Sequence, residues 1–168
     1  MKKILALLLL FPFMQSCDDG DVIVTNFNFD DATLQSCGDV GNYVFYKVNS
    51  KAFESLSLKL GTSDSIYNKE ETKTYQLNGT NNFVNYRQYD GTLGSNYFCN
   101  SIPPTSPKTI SDYQGNSGTA VTTVKFIYEN NKLTKKALQI TLKDVVLIGN
   151  NEQIIIETLS MGTIEKTI

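Results

Sequence analysis

The chain has no histidine and no tryptophan, one arginine, Arg87, and three cysteines, Cys17, Cys37 and Cys99. Without histidine, Ser-His-Asp catalysis and a His-activated thiolate are both excluded, and no Cys or His cluster exists to hold zinc. There is no glycine-rich phosphate loop. No cofactor, metal site or catalytic residue is therefore expected. Lysine and arginine total 15 against 17 acidic residues, with no basic cluster, which argues against a nucleic-acid partner. A long apolar run is also missing. The stretch Ile4 to Phe13 is about half of the roughly 20 residues a helix needs to cross a bilayer, so a permanent transmembrane anchor is not expected.

What the chain does have begins at Met1. Lys2 and Lys3 precede the short apolar run, and Met14-Gln15-Ser16 leads into Cys17 and the acidic cluster Asp18-Asp19-Gly20-Asp21. A basic start, a short apolar stretch and a cysteine at the boundary have the layout of an export signal. The stretch resembles a bacterial lipoprotein signal peptide, although Met14 and Gln15 stand where that pattern usually has a branched apolar and a small residue. The resemblance implies cleavage before Cys17, a diacylglycerol thioether on its sulfur and often acylation, for instance by palmitate, of the new amino group. Two or three acyl chains together make attachment effectively permanent. Asp18, Asp19 and Asp21 resemble the surface-export signal of Bacteroidota-type lipoproteins, and as a block of like charge they also suit a solvated tether. They lack the bidentate glutamate and turn glycine of a calcium loop.

Loss of residues 1–16 removes two lysines and no acid, so the mature chain is more acidic than the formal charge of -2. The expected organisation is a signal peptide over 1–16, an acidic tether over 17–21 and one domain over 22–168, enough residues for a single core. Abundant Thr, Tyr, Val and Ile favour strands. With Cys17 committed to lipid, Cys37 and Cys99 are the expected disulfide of an exported protein, and the long loop between them makes that bond worth about 4 kcal/mol. Two free buried thiols are the alternative.

Alternating patterns predict strands over 22–29, 43–49, 52–60, 70–77 and 83–89, the third half-buried through Leu56, Leu58 and Leu60. The sequence Asn78-Gly79-Thr80-Asn81 reads as a hairpin turn between the last two. Pro103, Pro104 and Pro107 mark residues 100–118 as a long crossover loop. The runs 119–129, 135–148 and 153–160, separated by Asn130-Asn131 and Gly149-Asn150-Asn151, read as a meander, with residues 161–168 adding an edge strand. Leu138, Ile140 and Leu142 share one parity while Val145 and Leu147 take the other. That switch predicts a β-bulge near Asp144 or burial of both faces. The expected fold is all-β, an antiparallel sandwich, with an immunoglobulin-like arrangement among the candidates and a small barrel as the alternative.

Function is far less legible. Tyr86, Arg87, Tyr89 and Asp90 put rings, the sole cation of its kind and a carboxylate side by side, as a sugar or peptide site does, although such residues also cover sheet surfaces. Asp64-Ser65-Ile66 matches a short O-glycosylation pattern, with Ser65 the acceptor in a polar loop. Paired carboxylates of a glycosidase remain open among Asp30, Asp31, Glu54, Asp64, Glu70, Glu71, Asp90, Asp112 and Asp144, with nothing local to pair them.

The run YFCNSIPPTSPK over 97–108, with YRQYDGT over 86–92, YVFYKVN over 43–49 and the acidic start, resembles a family of small, uncharacterised flavobacterial lipoproteins. The resemblance implies an exported, tethered β-domain in the outer membrane, facing the cell surface or, alternatively, the periplasm. It carries no activity onto particular residues. The expected function is non-enzymatic binding or structure at the cell surface, with a membrane partner through the lipid and a glycan or envelope protein as ligand. An envelope glycosidase is the alternative.

Overall fold

The computed structural model describes residues 21–23, 28–94, 96–100, 102 and 104–168. Cys17, Asp18 and Asp19 lie outside the described residues, as does most of the strand expected over 22–29. Among the described residues ten strands are present: β1 Asp21–Ile23, β2 Gln35–Cys37, β3 Tyr43–Asn49, β4 Glu54–Leu60, β5 Thr72–Gln76, β6 Asn82–Tyr89, β7 Thr109–Gly115, β8 Thr119–Glu129, β9 Lys132–Gly149 and β10 Glu152–Thr167. They form one sheet in the order β1-β10-β9-β7-β6-β4-β3-β2, with β8 on the other stretch of β9 and β5 outside β8. Every pairing is antiparallel except β1 with β10, which is parallel. Among the described residues nothing pairs β1 with β2, so the sheet they form is open.

The long hairpin β9–β10 explains how one sheet makes a sandwich. The first part of β9 pairs with β8 from Lys143 back to Lys132, and its end pairs with β7 at Leu147 and Ile148. The two pairings keep one register, so β7 and β8 are two parts of a single bent strand, interrupted at 116–118 opposite residues 144–146. At this corner Asp144 has φ 52° and Gly118 has φ 87°. Lys143 and Asp144 both face solvent in succession, as do Glu157 and Thr158 across from them on β10. Two consecutive outward residues reverse the alternation on both strands at once. That is why Leu138, Ile140 and Leu142 and then Val145 and Leu147 all reach the same core with no exposed surface. The β9–β10 register is unbroken at Asp144, and the bulge lies further on, between Ser160 and Gly162.

The core is one cluster drawn from both sides of the corner. It joins Phe45, Leu56, Leu58, Leu60, Val84, Tyr86 and Ile154 to Ala120, Val124, Leu138, Ile140 and Met161. Burial of a Leu or Ile side chain contributes about 1.5–3 kcal/mol, so this shared core keeps the folded sheet closed on itself. Ile66 and Tyr67, in the loop between β4 and β5, pack against it. The turns Asn130-Asn131 and Asn150-Asn151 each have two residues at positive φ, between 50° and 62°. Paired left-handed residues suit the twist of a two-residue hairpin, and asparagine tolerates them. The meander is formed as its sequence pattern predicts, and residues 161–167 continue β10 past Gly162.

Three local expectations are corrected. The 70–77 and 83–89 runs do not pair as a hairpin: β5 pairs with β8, and β6 with β4 and β7. The Asn78 side-chain oxygen accepts from the backbone N–H groups of Thr80, Asn81 and Asn82, and this turn steps the chain across the corner without reversing it. Residues 100–118 are not all loop, because β7 occupies Thr109–Gly115. Strand β4 is buried on both faces, with Ser55 fully buried and Ser57 nearly so. The 90–108 loop covers its outer face.

Candidate functional site

The alternation within β6 separates the tyrosine and arginine candidates. Tyr86 points into the core and donates to Glu54 Oε1 at 2.9 Å, while Gln88 Nε2 donates to its hydroxyl. Its ring lies 5.9 Å from that of Tyr113, whose hydroxyl donates to Glu152 Oε2 at 2.6 Å. Burial and then the Glu54 hydrogen bond push the Tyr86 phenol well up. Arg87 and Tyr89 face the other way. The guanidinium pairs with Asp112 at 2.9 Å and, with the Asn85 amide oriented to fit, donates to it at 3.1 Å, while its Nε is buried with no partner among the described residues. Tyr89 is buried against Ser55, hydroxyl to hydroxyl at 3.0 Å. Asp90 accepts from the backbone N–H of Lys108 at 2.8 Å and so closes the base of the 90–108 loop. These four residues do not converge on one site.

That loop is latched over the outer face of β3, β4 and β6. The Cys37–Cys99 disulfide ties it to β2, with Cα atoms 5.7 Å apart. Phe98 stacks on Tyr46 at 4.6 Å, and Tyr97 stands edge-on to Tyr89 at 5.3 Å. The Tyr46 hydroxyl donates to Gln35 Oε1 at 3.0 Å. The segment that carries the family resemblance thus has a packing role, which seals a second, aromatic layer outside the sheet.

Clefts open at two places on the described surface that bear on binding. The larger, about 430 Å³, lies under the β3–β4 turn between Asn28, Asp31, Val48, Asn49 and Lys51. Its main polar group is already in use, since Asn49 Oδ1 accepts from Lys51 and Ala52 and its amide donates to Asn28. The smaller, about 230 Å³, is lined by Ser36, Gly38, Tyr43, Tyr67, Glu165 and Lys166, where the β2–β3 edge meets the end of β10 and the 61–71 loop. Lys166 lies 5.7 Å over the Tyr67 ring, and Lys136 holds the Tyr67 carbonyl at 2.8 Å. Burial, with Tyr43 alongside, pushes the Tyr67 phenol up to about 12. A neutral phenol of this kind is a hydrogen-bond donor at ordinary pH and no nucleophile. Rings, hydroxyls and one cation around a shallow cleft suit a small polar ligand. We take this cleft as the candidate binding site.

Ser65 sits beside it. Its oxygen is half-buried and accepts from Tyr67 N–H at 3.3 Å and from the Tyr43 hydroxyl at 3.4 Å. None of Tyr43, Tyr67 or Lys166 was marked by a local sequence motif; the only signal was the aromatic alternation of 43–49. Among the described residues, no group of three or more acidic or cysteine side chains is placed to hold a metal ion, and no helix is long and apolar enough to cross a membrane. No family model, curated protein or solved structure matches the chain.

Proposed function

We propose that this protein is a lipoprotein anchored in the outer membrane through Cys17, and that its β-domain works at the cell surface by binding. The observation that supports this most is the use of cysteine. The Cys37–Cys99 disulfide takes up two of the chain's three cysteines, so Cys17, behind the export signal, has no intrachain thiol to pair with. A disulfide between distant segments also suits an oxidising, exported setting. The ligand is a glycan or envelope component held at the Tyr43, Tyr67 and Lys166 cleft, where the Tyr67 phenol, kept neutral by burial, donates a hydrogen bond.

Incorporation of labelled palmitate and protease shaving of intact cells test the reading in wild type and Cys17→Ala. The wild type takes up the label and is shaved, whereas the variant loses the label. An unlabelled wild type that is soluble in the periplasm overturns the assignment.

A further inference from the structure

We propose that the outer face of β9 and β10 lies against the membrane that carries the lipid anchor. Three neighbouring side chains make this face apolar. Ile148 and Ile155 are each 50 % exposed, and half-buried Val146 stands directly across from Ile155. Ile148 pairs with Gln153, so Ile155 is its diagonal neighbour, within roughly 7–8 Å. The flanking positions on the same face are Gln153 on β10 and Gln114 on β7, both uncharged. The next acid along β7, Asp112, is paired with Arg87. Glu152 belongs to the other face, where it accepts from Tyr113. Among the described residues, exposed charge returns at the corner, with Lys143, Asp144 and Glu157.

The occupant is fixed by where the tether joins the fold. Strand β1 pairs with β10 from Asp21 opposite Glu152, at the end of the sheet nearest these isoleucines. Cys17 lies four residue steps before Asp21, a reach of at most about 14 Å. Two strand spacings, roughly 10 Å, carry the sheet from β1 to β9. A lipid on Cys17 therefore holds this apolar face at the bilayer surface, where buried apolar side chains add to the attachment. The candidate cleft, lined by Ile164, Glu165 and Lys166, lies at the opposite end of β10 from the residues that pair with β1. This inference rests on lipidation of Cys17.

The absence of tryptophan supplies the test. Ile148→Trp and Ile155→Trp are single reporters on the proposed face, and Tyr128→Trp, at the far end of β8, is the control. Each is purified as the mature protein and placed in phosphatidylcholine vesicles whose acyl chains are brominated, with the N-terminal mass read on the same sample. The expected result is a lipid-bearing protein with loss of fluorescence at 148 and 155 but not at 128. A lipid-bearing protein with equal fluorescence at all three positions overturns the membrane face and leaves the anchor standing. A protein without lipid overturns the anchor, and the membrane face with it. A blue shift at 148 that depends on protein concentration in detergent, with no bromine quenching, assigns the face to a second copy of the chain and overturns the lipid occupant.

Discussion

Alanine at Gly118 tests the corner that turns one sheet into a sandwich. Gly118 has φ 87°, and an added Cβ would collide with the Asp144 carbonyl oxygen, lie 2.6 Å from its carbon and 2.7 Å from the Lys143 oxygen. These are backbone atoms in paired strands, so they cannot swing aside. Gly41 provides the comparison, because it has φ 91° and nothing within 4 Å of the same added atom. The left-handed conformation alone costs an L-residue about 1–2 kcal/mol, which is the whole effect expected for Gly41→Ala. Overpacking against a fixed neighbour adds about 1–3 kcal/mol, so Gly118→Ala should lose roughly 2–5 kcal/mol. Each kcal/mol corresponds to about 2–4 °C in Tm for a chain of this size. Urea unfolding of both variants by circular dichroism reads the difference. Equal losses at the two glycines would refute the close approach of the β7–β8 break to β9.

Two further outcomes follow from the same geometry. Replacement of both Cys37 and Cys99 by alanine should cost about 4 kcal/mol for a sequence separation of 62, read as a lower urea midpoint, and it frees the 90–108 loop for proteolysis; an unchanged midpoint refutes the latch. Tyr67 and Tyr89 are both pushed up to about 12, chiefly by burial. A phenol whose pKa is raised on folding favours the protonated folded state, so its contribution is complete below pH 10 and is lost as pH rises from 10 to 12. Ultraviolet titration should show these phenols ionising late and together with loss of stability, and a normal titration near 10 for every tyrosine contradicts their burial.

The all-β class, the meander and both Asn-Asn turns were legible because each depends on neighbours along the chain. Side-chain alternation, β-branched runs and left-handed asparagines act within a few residues. The parity switch around Asp144 was legible too, though the unbroken register beside it was not. Local pattern failed wherever a distant segment decided burial. Ser55 and Ser57 read as a solvated face, yet the 90–108 loop covers them through Phe98, Tyr97 and the disulfide. Residues 109–115 followed three prolines and carried mainly polar side chains, so only pairing with β6 and β9 makes them a strand.

The same division holds for the candidate sites. Tyr86, Arg87 and Tyr89 are adjacent in sequence, and the two-residue period of a strand sends the first to one face and the others to the opposite one. Tyr43, Tyr67 and Lys166 are far apart in sequence and meet at a cleft. By itself the sequence determined the all-β class, the meander with its two Asn-Asn turns and an odd number of cysteines, because these follow from local stereochemistry and from counting thiols. Tertiary structure alone decided which faces are covered, which side chains converge and where residues 21–23 join the sheet, because strand pairing joins segments that carry no record of one another.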